Sequence, residues 1–249
     1  MESMRSPFQG VLNIIRFNWH FYLVSLIGFA FFFFVSFSLE GAQKFCCSIF
    51  CICICIPTGF SLIASFYIYD SSNLYRFGWL DFSQKPNFIV NVSAGFDETS
   101  KWIAKTYSES TLVPVDFYDA SKHTEVSIKR ARKVYPIHPD TIRVSSQNLP
   151  LKSKSTDLVI AFLSVHEIRD QQERILFFQE LERILTDHGK ITVTEHLRDF
   201  PNFLAFNIGF FHFISRNSWI EVFEKANLTI SEELKTTPFI TTFTLKKSG

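Results

Sequence analysis

Two stretches of this 249-residue chain, Phe17 to Leu39 and Phe45 to Tyr69, contain no Asp, Glu, Lys or Arg. Each is long enough to cross a bilayer, which takes roughly 20 mostly apolar residues. A cleaved signal peptide has an apolar core of only about 7 to 15 residues followed by a small-residue cleavage site, and the first stretch meets neither condition. The link between them, Glu40 to Lys44, is short enough to force a helical hairpin. The chain then returns to the side from which it started.

The flanks give the hairpin a direction. Arg5 and Arg16 precede the first span, Arg76 and Lys85 follow the second, and the link holds only Lys44. Basic residues collect on the cytoplasmic side, so both termini and the soluble part are expected there, tethered to a lipid bilayer. Trp19, Tyr22, Tyr67, Tyr69, Tyr75 and Trp79 lie near the span ends, where amphipathic rings settle at headgroup level. All five cysteines, Cys46, Cys47, Cys51, Cys53 and Cys55, fall in the second span. A Cys-x-Cys-x-Cys run on a helix spreads its thiols around the axis, so neither disulfides nor a metal cluster is expected. From Lys85 onward 21 basic residues balance 20 acidic ones, which leaves no electrostatic footprint for nucleic acid.

After the hairpin, residues 1–69, comes a polar, aromatic, turn-rich linker, residues 70–86, and then a region, 87–249, in which strands and helices alternate. Strands are predicted at Phe88 to Val92, Thr111 to Val115, Thr141 to Val144, Leu158 to Leu163, Lys190 to Thr194, Leu228 to Glu232 and Phe239 to Leu245. Helices are predicted at Glu98 to Tyr107, within Thr124 to Val134, at Gln171 to Leu185 closed by Gly189, and at Trp219 to Ala226. Continuous apolar runs such as LVIAFL, residues 158–163, suit parallel strands covered on both faces. Only four residues separate Leu234 from Phe239, too few for a crossover of about a dozen residues, so the last strand must turn back antiparallel. The predicted class is α/β: a doubly wound, mostly parallel seven-stranded sheet with an antiparallel last strand, behind a two-helix membrane hairpin. This architecture resembles that of the class I S-adenosylmethionine-dependent methyltransferases.

The loop after the first strand reads NVSAGFD, residues 91–97. In a dinucleotide site, backbone amides and a helix N-terminus at this point approach a pyrophosphate. Asp97 beside two phosphates would cost on the order of a few kcal/mol, which disfavours a nicotinamide-dependent reductase. S-adenosylmethionine carries no phosphate, and its methionine end sets an ammonium and a sulfonium against one carboxylate. Gly95 allows close backbone approach, and Asp97 either caps the next helix or touches the ligand. Asp116 lies 21 residues beyond Gly95, matching the spacing of about 20 at which an acid meets ribose hydroxyls; Asp119 is the alternative.

The strings SSQNLPLKSKSTDLVIAFLSVHEI, residues 145–168, and ELERILTDHGKITVTE, residues 180–195, extend the methyltransferase resemblance over residues 87–245. It implies S-adenosylmethionine as cofactor, with Ser145, Ser146 or Gln147 at the adenine edge and Asp157 opening the fourth strand. The cofactor set so implied is Asn91, Ser93, Ala94, Gly95, Asp97, Asp116, Ser146, Gln147 and Phe162. The chain departs from the family pattern at three points: Asn91 stands where an acid is usual, and Ser93 and Asp97 replace two of three glycines. A degenerate methyltransferase fold serving as a non-catalytic interaction module is the competing reading.

HEIRD, residues 166–170, and EHLRD, residues 195–199, follow the fourth and fifth strands, at the sheet edge where open α/β folds bind ligands. His166 or His196 is the candidate base for an acceptor proton, with Glu167 or Glu195 orienting it. Alternatively Glu167, Arg169, Glu195, Arg198 and Asp199 form a salt-bridged rim. No metal is expected, because the histidines lack the i, i+4 spacing of helical zinc sites. FPNFLAFNIGFFHFIS, residues 200–215, has six phenylalanines and no charged side chain. It is either a core-packing helix or the cover of a hydrophobic, lipid-like small-molecule acceptor, with Asn207 and His212 as polar contacts.

Overall fold

The computed structural model describes residues 6–80 and 85–249. Arg5 and the 81–84 portion of the predicted linker lie outside the described residues. The chain forms two compact units. One reaches to Tyr75 and takes in Asp199–Phe210; the other comprises Arg76–Arg198 and Phe211–Gly249.

The first unit holds α1 (Gln9–Phe17), α2 (Trp19–Ser36) and α3 (Gly41–Phe66), the last running into a π-helical turn, Tyr67–Ser71. At 1.5 Å per residue, α2 is about 27 Å long and α3 about 39 Å. Both are long and apolar enough to cross a membrane. No residue of α2 is buried, so its phenylalanines have no protein core to enter.

α1 was not foreseen from the sequence. Its first amides are bound by Asp70, whose carboxylate accepts from Gly10 N at 2.6 Å and Val11 N at 2.8 Å. A negative charge suits the exposed amides of a helix start. Gly10 is required for the approach, since a Cβ there would collide with the Tyr69 side chain. The apolar insertion also belongs to this unit: α7 (Phe200–Phe206), opened by Asp199 accepting from Asn202 N at 3.1 Å, packs against α3.

The second unit is a seven-stranded sheet of β1 (Phe88–Ser93), β2 (Thr111–Asp116), β3 (Ile142–Arg143), β4 (Thr156–Phe162), β5 (Leu185–His196), β6 (Leu228–Thr237) and β7 (Ile240–Lys247). Their order is β3-β2-β1-β4-β5-β7-β6. β1 to β5 pair in parallel, and β7 runs antiparallel between β5 and β6. Helices α4 (Ser100–Thr106), α5 (Val126–Val134), α6 (Gln171–Ile184) and α8 (Arg216–Lys225) flank it. Val90, Val92, Val159, Ala161, Ile191 and Val193 give one face to Phe177, Phe178 and Leu181 of α6 and to Trp219, Val222 and Phe223 of α8. The fold is the predicted doubly wound sheet with a reversed end.

Two boundaries differ from the sequence reading. The strand predicted at Lys190 begins at Leu185, directly off α6, so Gly189 does not close the helix. It sits in β5 at an irregularity where the partners step from Thr156↔Leu185 to Leu158↔Lys190. A Cβ on Gly189 would lie 2.9 Å from the Thr156 carbonyl. The last hairpin is longer than predicted, β6 running on to Thr237 and turning over Pro238 and Phe239.

Candidate active site

The parallel register sets Ser93 beside Asp116, bringing the loop after β1 next to the carboxyl end of β2. Asn91 is 1 % exposed. Its amide donates to Thr99 Oγ1 and Ser100 Oγ, both at 2.8 Å, and to Asp97 Oδ1 at 3.2 Å. That same Asp97 oxygen accepts from the backbone amides of Thr99 and Ser100, each at 2.9 Å, opening α4. The capping role is therefore real, and it uses only one carboxylate oxygen. Asn91 Oδ1 and Asp97 Oδ2 are buried without a hydrogen-bond partner. A buried acceptor without a donor costs about 1–3 kcal/mol. Two such acceptors, one near the end of β1 and one on the loop after it, fit a cationic amine carrying several N–H donors.

The other half of the loop is covered. Gly95 has φ +79°, in the left-handed region that glycine tolerates, and Arg132 of α5 lies where a Cβ on Gly95 would be. The Arg132 guanidinium donates to the Ala94 carbonyl and to Asp116 Oδ2, both at 2.9 Å, and lies 4.2 Å over the Tyr118 ring. Asp116 Oδ1 accepts from Tyr118 N at 2.9 Å. Asp116 is thus fully engaged, and Arg132 must leave it before ribose hydroxyls could take its place. Asp119 instead turns its own loop, accepting from Ser121 N at 2.8 Å.

Histidine and carboxylate groups gather just beyond β4. The backbone enters the left-handed region at Leu163, φ +47°, and a short 3₁₀ turn, Val165–Glu167, follows. Glu195, fully buried at the end of β5, organises this turn. Its Oε1 accepts from the amides of Ser164, Val165 and His166 at 3.1, 2.9 and 3.3 Å, and its Oε2 from His166 Nδ1 at 2.6 Å. Burial works to lower the His166 pKa; the charge and hydrogen bond of Glu195, with Glu167 adding, outweigh it and raise the imidazole to about 8.

His212 joins from the far end of the insertion. Arg169 and Arg198 hold its segment by donating to the carbonyls of Phe211, His212 and Phe213. Glu167, 4 % exposed, lies between the two imidazoles. Burial raises the Tyr118 phenol, with Arg132 opposing and Glu167 and Asp116 both adding. This one side chain lies within electrostatic reach of both acids.

The remaining predicted residues are distributed differently. Ser146 is buried and donates to Glu173, while Gln147 is exposed. Phe162 stacks on Trp79, rings 3° from parallel, and touches Phe77, so its ring is spent on packing. His196 is 3 % exposed and stacks on Phe213 at 4.6 Å. Three members of the proposed salt-bridged rim have other partners: Glu195 is interior and bound to His166, Arg198 donates to carbonyls, and Asp199 caps α7. Asn207 terminates α7 at φ +49°.

Sequence reasoning missed Arg132, hidden in the basic run KRARK, and Arg174. Arg174 is 4 % exposed, lowered by burial to about 10, and donates to the carbonyls of Ile168 and Arg169. Their signal was positional: Ile128 and Ala131 mark the buried face of α5, and Arg132 adjoins it.

Residues 90–193 match the model of a methyltransferase domain. That stretch is similar to methyltransferase domains, and the sheet around it has the class I methyltransferase fold. The chain is similar in structure to an S-adenosylmethionine-dependent methyltransferase from Aquifex aeolicus, at 10% identity and a TM-score of 0.53, over 76% of this chain and 97% of that one. It is also similar to a protein of Pyrococcus horikoshii OT3, at 14% identity and a TM-score of 0.50, over 67% and 84%. No curated protein matches the sequence. S-adenosylmethionine is the cofactor such a methyltransferase domain implies. The residues present fit its methionine end, at the orphaned oxygens of Asn91 and Asp97. At its ribose end they fit once Arg132 gives up Asp116.

Proposed function

We propose that this chain is a membrane-tethered methyltransferase that moves a methyl group from S-adenosylmethionine to a hydrophobic or membrane-located small-molecule acceptor. The observation that carries the reading is the pair of buried, partnerless acceptors, Asn91 Oδ1 near the carboxyl end of β1 and Asp97 Oδ2 on the loop after it, at the sheet edge where this fold binds ligands. An ammonium donor would satisfy both, whereas a phosphate would be repelled by Asp97. When bound, the cofactor supplies an electrophilic methyl group on a sulfonium. The chain's own residues hold and orient: Asn91 and Asp97 take the amino end, Asp116 takes the ribose, and His166 with Glu195 lies on the acceptor side.

The hydrophobic acceptor is supported by α7 and the residues after it. The chain leaves the sheet unit at Arg198, joins the apolar helical unit over Asp199–Phe210, and returns at Phe211. Phe200, Phe203, Leu204 and Ile208 of this excursion are exposed. The two long apolar helices α2 and α3 support the tether, and the basic flanks support a cytoplasmic domain. Incubating membranes that contain the protein with a labelled methyl donor, then extracting lipids, tests the reading. Label is expected in the organic fraction, and its absence from every fraction would end it.

A second reading, a non-catalytic module on a decayed methyltransferase fold, is favoured by one observation: Arg132 covers Gly95 and occupies Asp116. Calorimetric titration separates the two. Heat on adding S-adenosylmethionine or its demethylated product supports the enzyme, and none at protein concentrations well above micromolar supports the module.

A further inference from the structure

We infer that His166, Glu167 and His212 form a binding site for one divalent first-row transition metal ion of the zinc or ferrous class. His166 Nε2 lies 3.7 Å and His212 Nε2 3.8 Å from Glu167 Oε1, and the three ligand atoms all lie within 4.8 Å of one another. These separations are too long for hydrogen bonds. They are close to what an ion needs: ligand atoms about 2.0–2.2 Å from a tetrahedral ion stand roughly 3.4 Å apart. A contraction of well under 1 Å in the two measured pairs would close the site.

A second observation points to a ligand independently of the spacing. Glu167 is 4 % exposed and its Oε2 has no partner. A carboxylate oxygen in that state is costly, and a cation between the imidazoles that both Glu167 oxygens reach would satisfy it.

The outer groups are arranged for metal binding as well. A metal-bound imidazole ordinarily gives its other nitrogen to a carboxylate, which fixes the tautomer. His166 Nδ1 meets Glu195 at 2.6 Å and His212 Nδ1 meets Glu125 at 3.2 Å. Both arrangements leave the Nε2 lone pairs for an ion. Arg169, 3.2 Å from His212 Nδ1, opposes a cation, but three carboxylates, Glu125, Glu167 and Glu195, outnumber it. Two histidines and one carboxylate with coordination positions left open suit zinc or ferrous iron. On the methyltransferase reading, an open position would bind an oxygen or sulfur atom of the acceptor and help it lose its proton. The metal site itself stands without that reading.

The test uses the full-length protein in detergent, stripped with chelator and titrated with Co²⁺, with no methyl donor present. One ion per chain is expected, with visible bands of low-coordinate nitrogen and oxygen ligation and no thiolate charge-transfer band. Glu167→Gln and His212→Ala should each weaken binding at least hundredfold, and Glu195→Gln about 10–100-fold. His188→Ala, exposed and remote in sequence from the cluster, should change nothing, nor should replacing all five cysteines by serine. Absence of stoichiometric binding by the unmodified chain would overturn the inference. So would binding that survives Glu167→Gln and His212→Ala, or that disappears with the cysteines.

Discussion

On the proposed reading, Arg132 decides whether the cofactor's ribose can reach Asp116. Its ion pair with Asp116 is largely buried, the two side chains being 17 % and 0 % exposed, so removing the guanidinium leaves a buried carboxylate alone. Loss of one partner of such a pair destabilises strongly, by about 3–5 kcal/mol for a fully buried one. Ribose hydroxyls would restore partners to Asp116. Arg132→Ala should therefore melt lower than the unmodified protein when free, yet bind S-adenosylmethionine roughly tenfold more tightly, a difference of about 1.4 kcal/mol. Thermal melts with and without cofactor check both halves, and a cofactor-induced shift no larger than that of the unmodified protein contradicts the proposal. Asp97 separates cap from ligand in the same way. Asp97→Ala should lose about 1 kcal/mol of stability with the cap and also weaken cofactor binding, whereas Asp97→Ser keeps an oxygen for the α4 amides and loses only the second oxygen. Equal cofactor affinity in Asp97→Ser and the unmodified chain would confine Asp97 to capping. The Asp97 cap was readable from a carboxylate at the head of a helix. The Arg132 contact was not, because a guanidinium reaching from α5 to β2 depends on tertiary placement that no local spacing encodes. The same holds for His166, Glu167 and His212, which meet from two segments over forty residues apart.

At the scale of elements, α6 is tied to the loop before β4 by one acid and one base. Glu180 Oε2 accepts from Leu149 N at 2.9 Å, and Arg183 donates to the carbonyls of Leu149 and Leu151, both at 3.0 Å, while bonding Glu180 itself. The Arg183 hydrogen bond, chiefly, holds the Glu180 carboxyl below the usual carboxylate range. A depressed folded pKa means that the stabilisation is present above the unfolded value, about 4.3, and is lost as pH falls through the folded one. Because the pair is partly open to solvent, with the Arg183 side chain 33 % and the Glu180 side chain 18 % exposed, the contribution should be about 1 kcal/mol or less. The difference in melting temperature between the unmodified protein and Glu180→Gln should be full at neutral pH and vanish below the carboxylate range; a difference independent of pH would show that the charge is irrelevant. Element identity was legible wherever periodicity was strong: all seven strands lie where alternation and apolar runs put them. The misplaced boundary, at Gly189, is instructive. Glycine after an amphipathic helix normally reads as a stop, but here the need was steric, set by the Thr156 carbonyl of a strand distant in sequence. α1 went unforeseen for a related reason, since its amides are bound by Asp70, some sixty residues along the chain.

At the scale of the whole molecule, the proposed membrane hairpin would determine where methyl transfer can occur. α2 buries none of its residues and α3 only Cys47, Ala64 and Ser65, although they contain most of the chain's exposed large apolar side chains. At about 25 cal/mol per Å² of apolar surface, leaving two such helices in water would cost far more than the margin of about 5–15 kcal/mol by which folded proteins are stable. A bilayer would remove that cost, so on the proposed tether the chain should stay in the membrane pellet after carbonate washing and leave it only with detergent; release by carbonate alone would reject a spanning hairpin. Direction is a separate matter. It rests on the excess of Arg16, Arg76 and Lys85 over Lys44. In a chain whose five cysteines are replaced by serine, Ala42→Cys in the link should react with a membrane-impermeant maleimide added outside intact cells, and Ser121→Cys, exposed in the sheet unit, should react only after lysis. The opposite pattern would put the methyltransferase domain outside the cytoplasm, cut off from a cytoplasmic supply of S-adenosylmethionine, and would favour the non-catalytic reading.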